Sequence, residues 1–338
     1  MDEVDIRKAL LSPGAYDVRV THEIKMIQTH ISWVFLTGEY AYKMKKPVDF
    51  GFLDFTTLEK RKRYCDLELE LNKPLSPEIY LEVLPVTNDD GKIRIGGKGK
   101  VVDYVLKMRQ LPQERLMNRL LSRGGIDKAV IDRIAKIMAD FHRKAETSEE
   151  ISAYGKPRKL RYNCEENFEK TEPFIGRVIS RADFDHARKV MLGFIEANAA
   201  IFDRRVSGGL VRRIHGDMHS GNIFIIDGKP LIFDRIEFNM RFSCMDTAAD
   251  VAFFSMDLDF NDRLDLSRYF VDRYIEYSGD GSLRHVLDFY KSYYAWVRGE
   301  VTALRLGEDM SKNELDDIEK TSRKYLGLAL GYLRRMEK

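Results

Sequence analysis

The sequence of 338 residues predicts an α+β protein of two lobes, a small antiparallel sheet that carries one helix, followed by a larger and mainly helical lobe. In the first part of the chain, short apolar runs alternate with turn residues, which is typical of strands. From Pro112 onward the apolar residues recur with the helical period. Two short apolar runs around Asp227-Gly228 interrupt the helical part and indicate a hairpin. We therefore predict lobes over residues 1–107 and 108–338, with a hinge near residues 108–111.

The elements of the first lobe follow from the apolar pattern and from the residues that interrupt it. Thr56 or Thr57 can cap a helix that runs to about Asn72. Pro74 and Pro77 come next, and proline cannot continue a helix. Strands are predicted over 24–28, 33–37, 40–48, 82–86, 92–95 and 101–106. In the second lobe, helices are predicted over 126–146, roughly 162–205, 283–306 and 315–337, and hairpin strands over 222–226 and 230–233.

The composition is that of an ordinary globular protein and excludes several classes of partner. Lys and Arg total 56 against 54 Asp and Glu, and the net charge of +2 gives no reason to expect a nucleic-acid partner. The acidic start does not resemble a secretory signal, and no window reaches about 18 uninterrupted apolar residues. We expect a cytoplasmic protein without a membrane partner, and its oligomeric state stays open. Cys65, Cys164 and Cys244 fit reduced thiols better than a disulfide framework.

The most informative segment is HGDMHSGN at residues 215–222, which the hairpin and Asp234 follow. A two-residue turn in this hairpin places Asn222 opposite Phe233, and a three-residue turn places it opposite Asp234. In both cases Asn222 and Asp234 become neighbours, because opposed residues in an antiparallel pair have Cβ atoms about 5 Å apart. An amide oxygen and a carboxylate can then bind one cation, and oxygen ligands of this kind suit Mg²⁺.

Asp217 is the candidate general base. It lies five residues before Asn222 in a loop flanked by glycines, where its carboxylate can face a phosphate bound to the same ion. Phosphoryl transfer asks a protein mainly for such a base, for cations and for rigid positioning. His215 and His219 are spaced like a metal-binding pair, but Gly216 argues against the helix that such a pair needs. His215 is the better candidate for bracing the loop.

These residues resemble the catalytic loop and the metal-binding aspartate of the aminoglycoside phosphotransferase-like kinases. The resemblance covers nearly the whole chain and implies a two-lobed protein-kinase-like fold that uses ATP and Mg²⁺. Residues 29–32, 42–48, 52–55 and 236–238 further resemble an uncharacterised subgroup that is often fused to a C-terminal P-loop ATPase. This sequence contains no GxxxxGK[ST] pattern, so we expect no second ATPase domain in it. Phe141-His142, Asp246 and Asp250 also sit where this family carries such residues.

The resemblance implies a strand lysine that holds the α- and β-phosphates and a helix glutamate that orients this lysine. Lys43 follows Ala41 with one residue between them, which puts both on one strand face and leaves room for an adenine ring. Lys45 shares that face, but Lys43 matches the family register better. Glu68 is the preferred partner of Lys43, because it shares one helix stripe with Cys65.

Three further residues near these positions are candidates for the site. The phosphate loop GxGxxG is missing between the first two strands, and the Ser32 hydroxyl with nearby backbone amides can donate to phosphate instead. Arg235 and Glu237 flank the predicted metal aspartate. For both residues, contact with substrate or phosphate and a salt-bridged structural role are equal alternatives.

The leading hypothesis is an ATP- and Mg²⁺-dependent phosphotransferase with a small-molecule acceptor. It would move the γ-phosphate to a hydroxyl group of an aminoglycoside-like compound or another hydroxylated metabolite, with an amine as the less favoured alternative acceptor. One alternative is a protein serine/threonine kinase, and another is a non-catalytic ATP-binding regulatory module. The second alternative is disfavoured because a candidate residue is present for every catalytic role. The acceptor and the preference for ATP over GTP stay open.

Overall fold

The structure is a computed structural model that describes residues 3–20 and 22–338. The chain divides into two compact units. Unit 1 runs to Leu116 and also includes Ile223–Ile226 and Leu231–Asn239. Unit 2 consists of Met117–Asn222, Asp227–Pro230 and Met240–Lys338. The division therefore lies a few residues after the predicted boundary at 107, and part of the predicted hairpin belongs to the first unit.

Unit 1 contains an antiparallel sheet in the strand order β1-β2-β3-β6-β4-β5. Its register pairs Val34 of β2 with Lys43 of β3, and Lys43 with Leu106 of β6. Lys43 therefore lies on an interior strand, where neighbours on both sides fix its direction. Its helices and strands are α1 (Glu3–Ala9), β1 (Lys25–Gln28), β2 (Ser32–Leu36), β3 (Tyr40–Lys45), α2 (Leu58–Asn72), β4 (Tyr80–Asp89), β5 (Lys92–Ile95) and β6 (Lys100–Arg109).

Helix α2 packs on this sheet through a stripe that includes charged residues. Thr57 caps the helix, because its side chain accepts a hydrogen bond from the amide of Lys60 at 3.3 Å. Cys65, Glu68 and Asn72 are buried on one stripe, as the sequence predicts. A buried glutamate on a helix needs a positively charged partner, since burying an unpaired charge is costly. The partner of Glu68 is therefore a candidate functional residue.

Unit 2 is mostly helical. Its helices are α3 (Met117–Leu121), α4 (Lys128–Lys144), α5 (Glu149–Ser152), α6 (Pro157–Thr171), α7 (Arg181–Ala197), α8 (Ala199–Ser207), α9 (Met240–Ser243), α10 (Thr247–Phe260), α11 (Leu264–Ser278), α12 (Leu283–Leu304) and α13 (Lys312–Met336). Strands β7 (Val211–Arg213) and β10 (Cys244–Asp246) pair antiparallel. Helix α10 is buried along almost its whole length and packs against α11 and α12. It therefore forms the centre of this unit.

Strands β8 (Ile223–Ile226) and β9 (Lys229–Ile232) form the predicted hairpin. Asp227 and Gly228 both adopt positive φ angles, 48° and 75°. This pair of angles is typical of the two-residue turn that joins antiparallel strands. Asn222 directly precedes β8, and one residue separates β9 from Asp234.

One predicted element was wrong. The helical region expected over roughly 162–205 is three helices, α6, α7 and α8. Pro173 and Gly176, which has a φ angle of 85°, lie between α6 and α7. Ser180 then starts α7, because its side chain accepts a hydrogen bond from the amide of Asp183. These interruptions have clear local signals that the helical periodicity concealed.

Two expectations concern the chain as a whole. Within residues 3–20 and 22–338, no helix has the length and apolarity needed to cross a membrane. Cys65, Cys164 and Cys244 are buried, and within the described part of the chain none of them forms a disulfide.

Candidate active site

In unit 1, Lys43 lies between two carboxylates. Its Nζ donates to Oε1 of Glu68 at 2.8 Å and to Oδ1 of Asp234 at 2.6 Å. The side chain of Lys43 is 12% exposed and that of Glu68 is 1% exposed, whereas 41% of the Asp234 side chain faces solvent. The structure thus brings together three of the predicted site residues, and it leaves the Asp234 carboxylate accessible to a ligand.

The backbone around Asp234 is held by helix α2 and by the chain that follows it. Asp234 has a φ angle of 65°, and its amide donates to the hydroxyl of Tyr80 at 2.9 Å. The amide of Arg235 donates to Oδ1 of Asn72 at 2.8 Å, and Ser76 donates to the carbonyl of Ile232 at 2.7 Å. A left-handed backbone at a residue other than glycine persists only where the surroundings fix it, and such positions are common in functional sites.

Lys45 is a second lysine on Glu68. Its Nζ donates to Oε2 of Glu68 at 2.8 Å, so each oxygen of this carboxylate holds one lysine. The same Nζ also donates to Oε1 of Glu237 and lies 4.9 Å from the ring centre of Phe55. Glu237 was open to either substrate contact or a structural salt bridge, and the structure contains the salt bridge.

The electrostatics keep the Lys43 and Glu68 pair ionised. Burial by itself would raise the pKa of Glu68, but Lys43 and Lys45 outweigh this effect and lower it to about 2. Burial would lower the pKa of Lys43, but Asp234 and Glu68 raise it well above its ordinary value. The lysine is therefore a permanent positive charge at neutral pH.

Ser32 occupies the start of β2, opposite Lys45. The residue is fully buried, and its hydroxyl has no hydrogen-bond partner among the described residues. Its amide donates to the side chain of Thr29 at 3.0 Å. Contact of the Ser32 hydroxyl with a phosphate therefore requires a rearrangement of this turn, and the predicted role of Ser32 stays a prediction.

An apolar surface adjoins Lys43 in unit 1. Ala41 belongs to a buried cluster with Leu106 and Met108. Leu231 and Phe233, which flank the end of β9, pack against this cluster. Ala41 is a residue predicted from the sequence, whereas the two residues of the hairpin are not. Their signal was present, since they immediately precede the predicted metal aspartate in a short apolar run.

In unit 2, Asn222 holds Asp217. Its Nδ2 donates to the backbone carbonyl of Asp217 at 3.0 Å and to Oδ2 of the same residue at 2.9 Å. The amide nitrogen is thus engaged as a donor, and the amide oxygen is the atom that can bind a cation. Nε2 of His219 lies 3.5 Å from Oδ2 of Asp217, and 35% of the Asp217 side chain is exposed.

Helix α10 braces this loop through two buried carboxylates. Asp250 accepts hydrogen bonds from the amides of His215 at 2.7 Å and Gly216 at 2.9 Å. Asp257, two turns further along, accepts from the amide of Ser220 at 2.9 Å. Asp250 also lies 3.0 Å from Nε2 of His142. Asp257 is not among the residues predicted from the sequence, although a carboxylate seven residues after Asp250 in an apolar helix is a signal that the sequence contains.

His142 and His215 have the structural roles that their positions suggest. Nδ1 of His142 lies 2.7 Å from the hydroxyl of Tyr274, which fixes the ring beneath Asp250. His215 accepts a hydrogen bond on Nδ1 from the amide of Asp217 at 3.3 Å. The histidine at 215 thus braces the loop from within, as the sequence analysis expected.

The charge of Asp217 is maintained by its surroundings. Burial would raise its pKa, but His219, Arg298 and His215 more than offset this effect, so the pKa lies below its usual range. A carboxylate that is ionised and oriented by Asn222 can accept a proton.

The predicted site residues thus fall into two groups. Lys43, Glu68 and Asp234 come together in unit 1, and Asp217 and Asn222 come together in unit 2. Ser32 lies in unit 1, apart from the contacts of Lys43. One continuous stretch of chain, which contains the β8–β9 hairpin, carries residues of both groups.

The chain is similar to curated proteins that are themselves uncharacterised. A protein of Mycobacterium tuberculosis is 30% identical over 295 residues, which cover 87% of this chain and 58% of the relative. The chain thus spans little more than half the length of the curated relatives it matches. No family model matches the sequence.

Solved structures share its fold. Plasmodium vivax ethanolamine kinase is 14% identical, with a TM-score of 0.54 over 93% of this chain and 84% of that chain. Aminoglycoside 2'-phosphotransferase-IIIa, solved with GDP, is 12% identical, with a TM-score of 0.54 over 97% of this chain and 99% of that chain. The kinase-like α+β fold predicted from the sequence is therefore confirmed, and the resemblance to aminoglycoside phosphotransferase-like kinases is confirmed at the level of the fold.

Proposed function

We propose that this protein is a phosphotransferase that moves the γ-phosphate of ATP to a hydroxyl group of a small molecule, with Mg²⁺ as cofactor. The observation that carries the proposal is the placement of Lys43, whose Nζ lies 2.8 Å from Glu68 and 2.6 Å from Asp234. A largely buried strand lysine between a helix glutamate and an accessible aspartate is the arrangement that kinase-like enzymes use to hold nucleotide phosphates. The shared fold with proteins named as ethanolamine kinase and aminoglycoside phosphotransferase supports this reading.

Lys43 is assigned to the α- and β-phosphates of ATP. Phosphate oxygens compete with Asp234 for the lysine, because both are anionic acceptors within reach of one ammonium group. Glu68 stays paired with Lys43, since Glu68 is buried and its other oxygen is bound by Lys45. The apolar surface formed by Ala41, Leu231 and Phe233 is assigned to the purine ring.

Asp234 and Asn222 each offer an oxygen donor of the kind that suits magnesium. Asp234 offers an accessible carboxylate, and Asn222 offers an amide oxygen whose partner nitrogen is already engaged. Hard oxygen donors of this kind suit Mg²⁺ better than softer metals. Their assignment to one ion is the prediction from the sequence, in which they lie at the two ends of one hairpin. A bound Mg²⁺ would neutralise charge on the β- and γ-phosphates.

Asp217 is assigned as the general base. Its ionised carboxylate accepts the proton of the acceptor hydroxyl while the oxygen attacks the γ-phosphate, and ADP leaves with the bridging oxygen. Asn222 directs one oxygen of Asp217 through its Nδ2, at 2.9 Å, so the other oxygen is available to the acceptor. The proton transfer typically contributes about 100- to 10,000-fold to such a reaction.

The experiment is a measurement of ADP release with a panel of hydroxylated metabolites and aminoglycosides, with and without Mg²⁺. The wild type should show acceptor-stimulated, Mg²⁺-dependent release, and Asp217→Asn should lower it by about 100-fold or more. A suitable control is Asp227→Asn, which changes a carboxylate of the hairpin turn outside the assigned site. Equal background rates in wild type and Asp217→Asn would refute the proposal and favour a non-catalytic nucleotide-binding protein.

A further inference from the structure

Lys45 and Glu237 form a buried ion pair that the assigned reaction does not use. The side chains of Lys45 and Glu237 are 1% and 4% exposed. A lysine buried to this extent does not reach a nucleotide in solution. The cost of burying both charges largely offsets the attraction between them. The pair therefore calls for a role other than stabilising the fold.

The lysine of this pair, Lys45, also binds Glu68. Lys45 occupies Oε2 of this carboxylate at 2.8 Å, and Lys43 occupies Oε1 at the same distance. With one oxygen fixed by Lys45, the other stays directed at Lys43. If Lys45 were absent, Glu68 would be free to turn both oxygens toward Lys43 and to compete with a bound phosphate for it.

The second contact acts on the chain after Asp234. Tyr80 and Asn72 hold the amides of Asp234 and Arg235. Glu237 adds an attachment three residues after Asp234 by binding Lys45 of β3. Asn239 ends this segment by donating to the carbonyl of Phe52 at 2.8 Å.

We propose that Lys45 and Glu237 are positioning residues for phosphoryl transfer, which together keep Glu68 directed at Lys43 and hold the Asp234 segment against helix α2. This inference rests on the proposed function. Neither residue touches the nucleotide or the acceptor. They raise the fraction of molecules in which Lys43, Glu68 and Asp234 have the arrangement that the reaction needs. Small displacements of such groups lower the rate by large factors.

The test compares three variants of the full chain. Glu237→Gln keeps the shape of the side chain and removes its charge, and Lys45→Met removes the lysine. The matched control is Asp103→Asn, which neutralises a carboxylate of β6 in a different, largely buried ion pair with helix α2. Arg61 donates to Asp103 at 2.9 Å, and the side chains of this pair are 10% and 7% exposed.

Two readouts separate a positioning role from loss of stability. The first is the kcat and KM for ATP at saturating Mg²⁺ and acceptor. The second is amide hydrogen exchange over residues 234–239, which needs no turnover. We expect Lys45→Met to lower kcat by about 10-fold or more, Glu237→Gln by about 3-fold or more, and Asp103→Asn by less than about 2-fold, with KM changed less than about 3-fold throughout. Exchange over residues 234–239 should be faster in the first two variants alone.

Each contrary result has its own meaning. An equal loss of kcat in Asp103→Asn overturns the inference, because the effect is then general destabilisation. A rise in KM with unchanged kcat also overturns it, because Lys45 then contributes to nucleotide binding. If Lys45→Met does not fold, Glu237→Gln decides the question alone. If the wild type shows no turnover, the proposed function fails, and unchanged exchange in the variants would separately overturn the positioning role.

Discussion

Arg205 supports a prediction that needs no knowledge of the substrate. This residue of α8 is 2% exposed and binds two carboxylates at once. It donates to Asp246 at 2.6 and 2.7 Å and to Asp280 at 3.0 and 2.8 Å. Asp246 in turn caps helix α10, because it accepts a hydrogen bond from the amide of Ala248 at 2.9 Å. The perturbation is Arg205→Met, which keeps much of the side-chain volume and removes the charge.

The expected magnitude follows from the burial of the two carboxylates. Arg205→Met leaves Asp246 and Asp280 without a counter-charge, and the loss of one partner from a buried ion pair costs about 3–5 kcal/mol. The matched control is Arg181→Met, whose side chain is 57% exposed and lies 3.5 Å from Glu172. Exposed pairs of this kind contribute about 0–1 kcal/mol.

The assay is urea unfolding followed by tryptophan fluorescence. The chain has two tryptophans, and Trp296 is buried in unit 2, where its Nε1 donates to Thr171 at 3.0 Å. In a Trp33→Phe background, the fluorescence therefore reports the unit that contains Arg205. A loss below about 1 kcal/mol in Arg205→Met, similar to that in Arg181→Met, would refute the reasoning.

The pH dependence gives a second check on Arg205. Burial would raise the pKa of Asp280, but Arg205 and Ser282 outweigh it and lower the pKa below its ordinary value. A carboxylate with a lowered pKa in the folded state stabilises the protein above its unfolded pKa of about 4. This contribution is lost as the pH falls through the folded value. The difference between wild type and Arg205→Met should therefore shrink below about pH 4, and a constant difference down to pH 3 would contradict this account.

Three further predictions concern single side chains. Lys43→Met should lower kcat/KM for ATP by about 100-fold or more with the fold retained, and a loss below about 5-fold would contradict its assignment to phosphate. Asp250→Asn should lower kcat by about 10-fold or more at little cost in KM for ATP, because Asp250 holds the amides of His215 and Gly216; an equal kcat would show that the loop needs no brace. Burial raises the pKa of Glu300 to about 8, with Lys170 opposing this effect. Because the folded state then holds a proton that the unfolded state releases, stability should fall between about pH 4.5 and 8, and Glu300→Gln should remove this decline in an unfolding titration.

The sequence was sufficient for the parts of the site that depend on local spacing. Glu68 was chosen because it shares a helix stripe with Cys65, and both residues are buried on the same side of α2. The hairpin around Asp227-Gly228 was predicted from a turn dipeptide whose conformation few other residues adopt. Such signals act over a few residues, so a single sequence contains all of their determinants.

Other features depend on packing between distant segments and had no local signal. Helix α10 is buried on all sides and has no polar face, so its apolar residues show no helical period. Strand alternation could not decide whether Lys43 or Lys45 is the phosphate-binding lysine, since both lysines share one face. The structure shows that both bind Glu68, one on each oxygen. Lys45 also binds Glu237, which lies far away along the chain.

Transfer of the γ-phosphate to a small molecule is measured directly by following the labelled γ-phosphate of ATP by ³¹P NMR. Wild type is incubated with Mg²⁺, ATP and each stimulating acceptor, and Asp217→Asn is treated in parallel. We expect a phosphate monoester on the small molecule in the wild-type sample, in amounts equal to the ADP formed. Label found only as inorganic phosphate, only on protein, or still on ATP would contradict it.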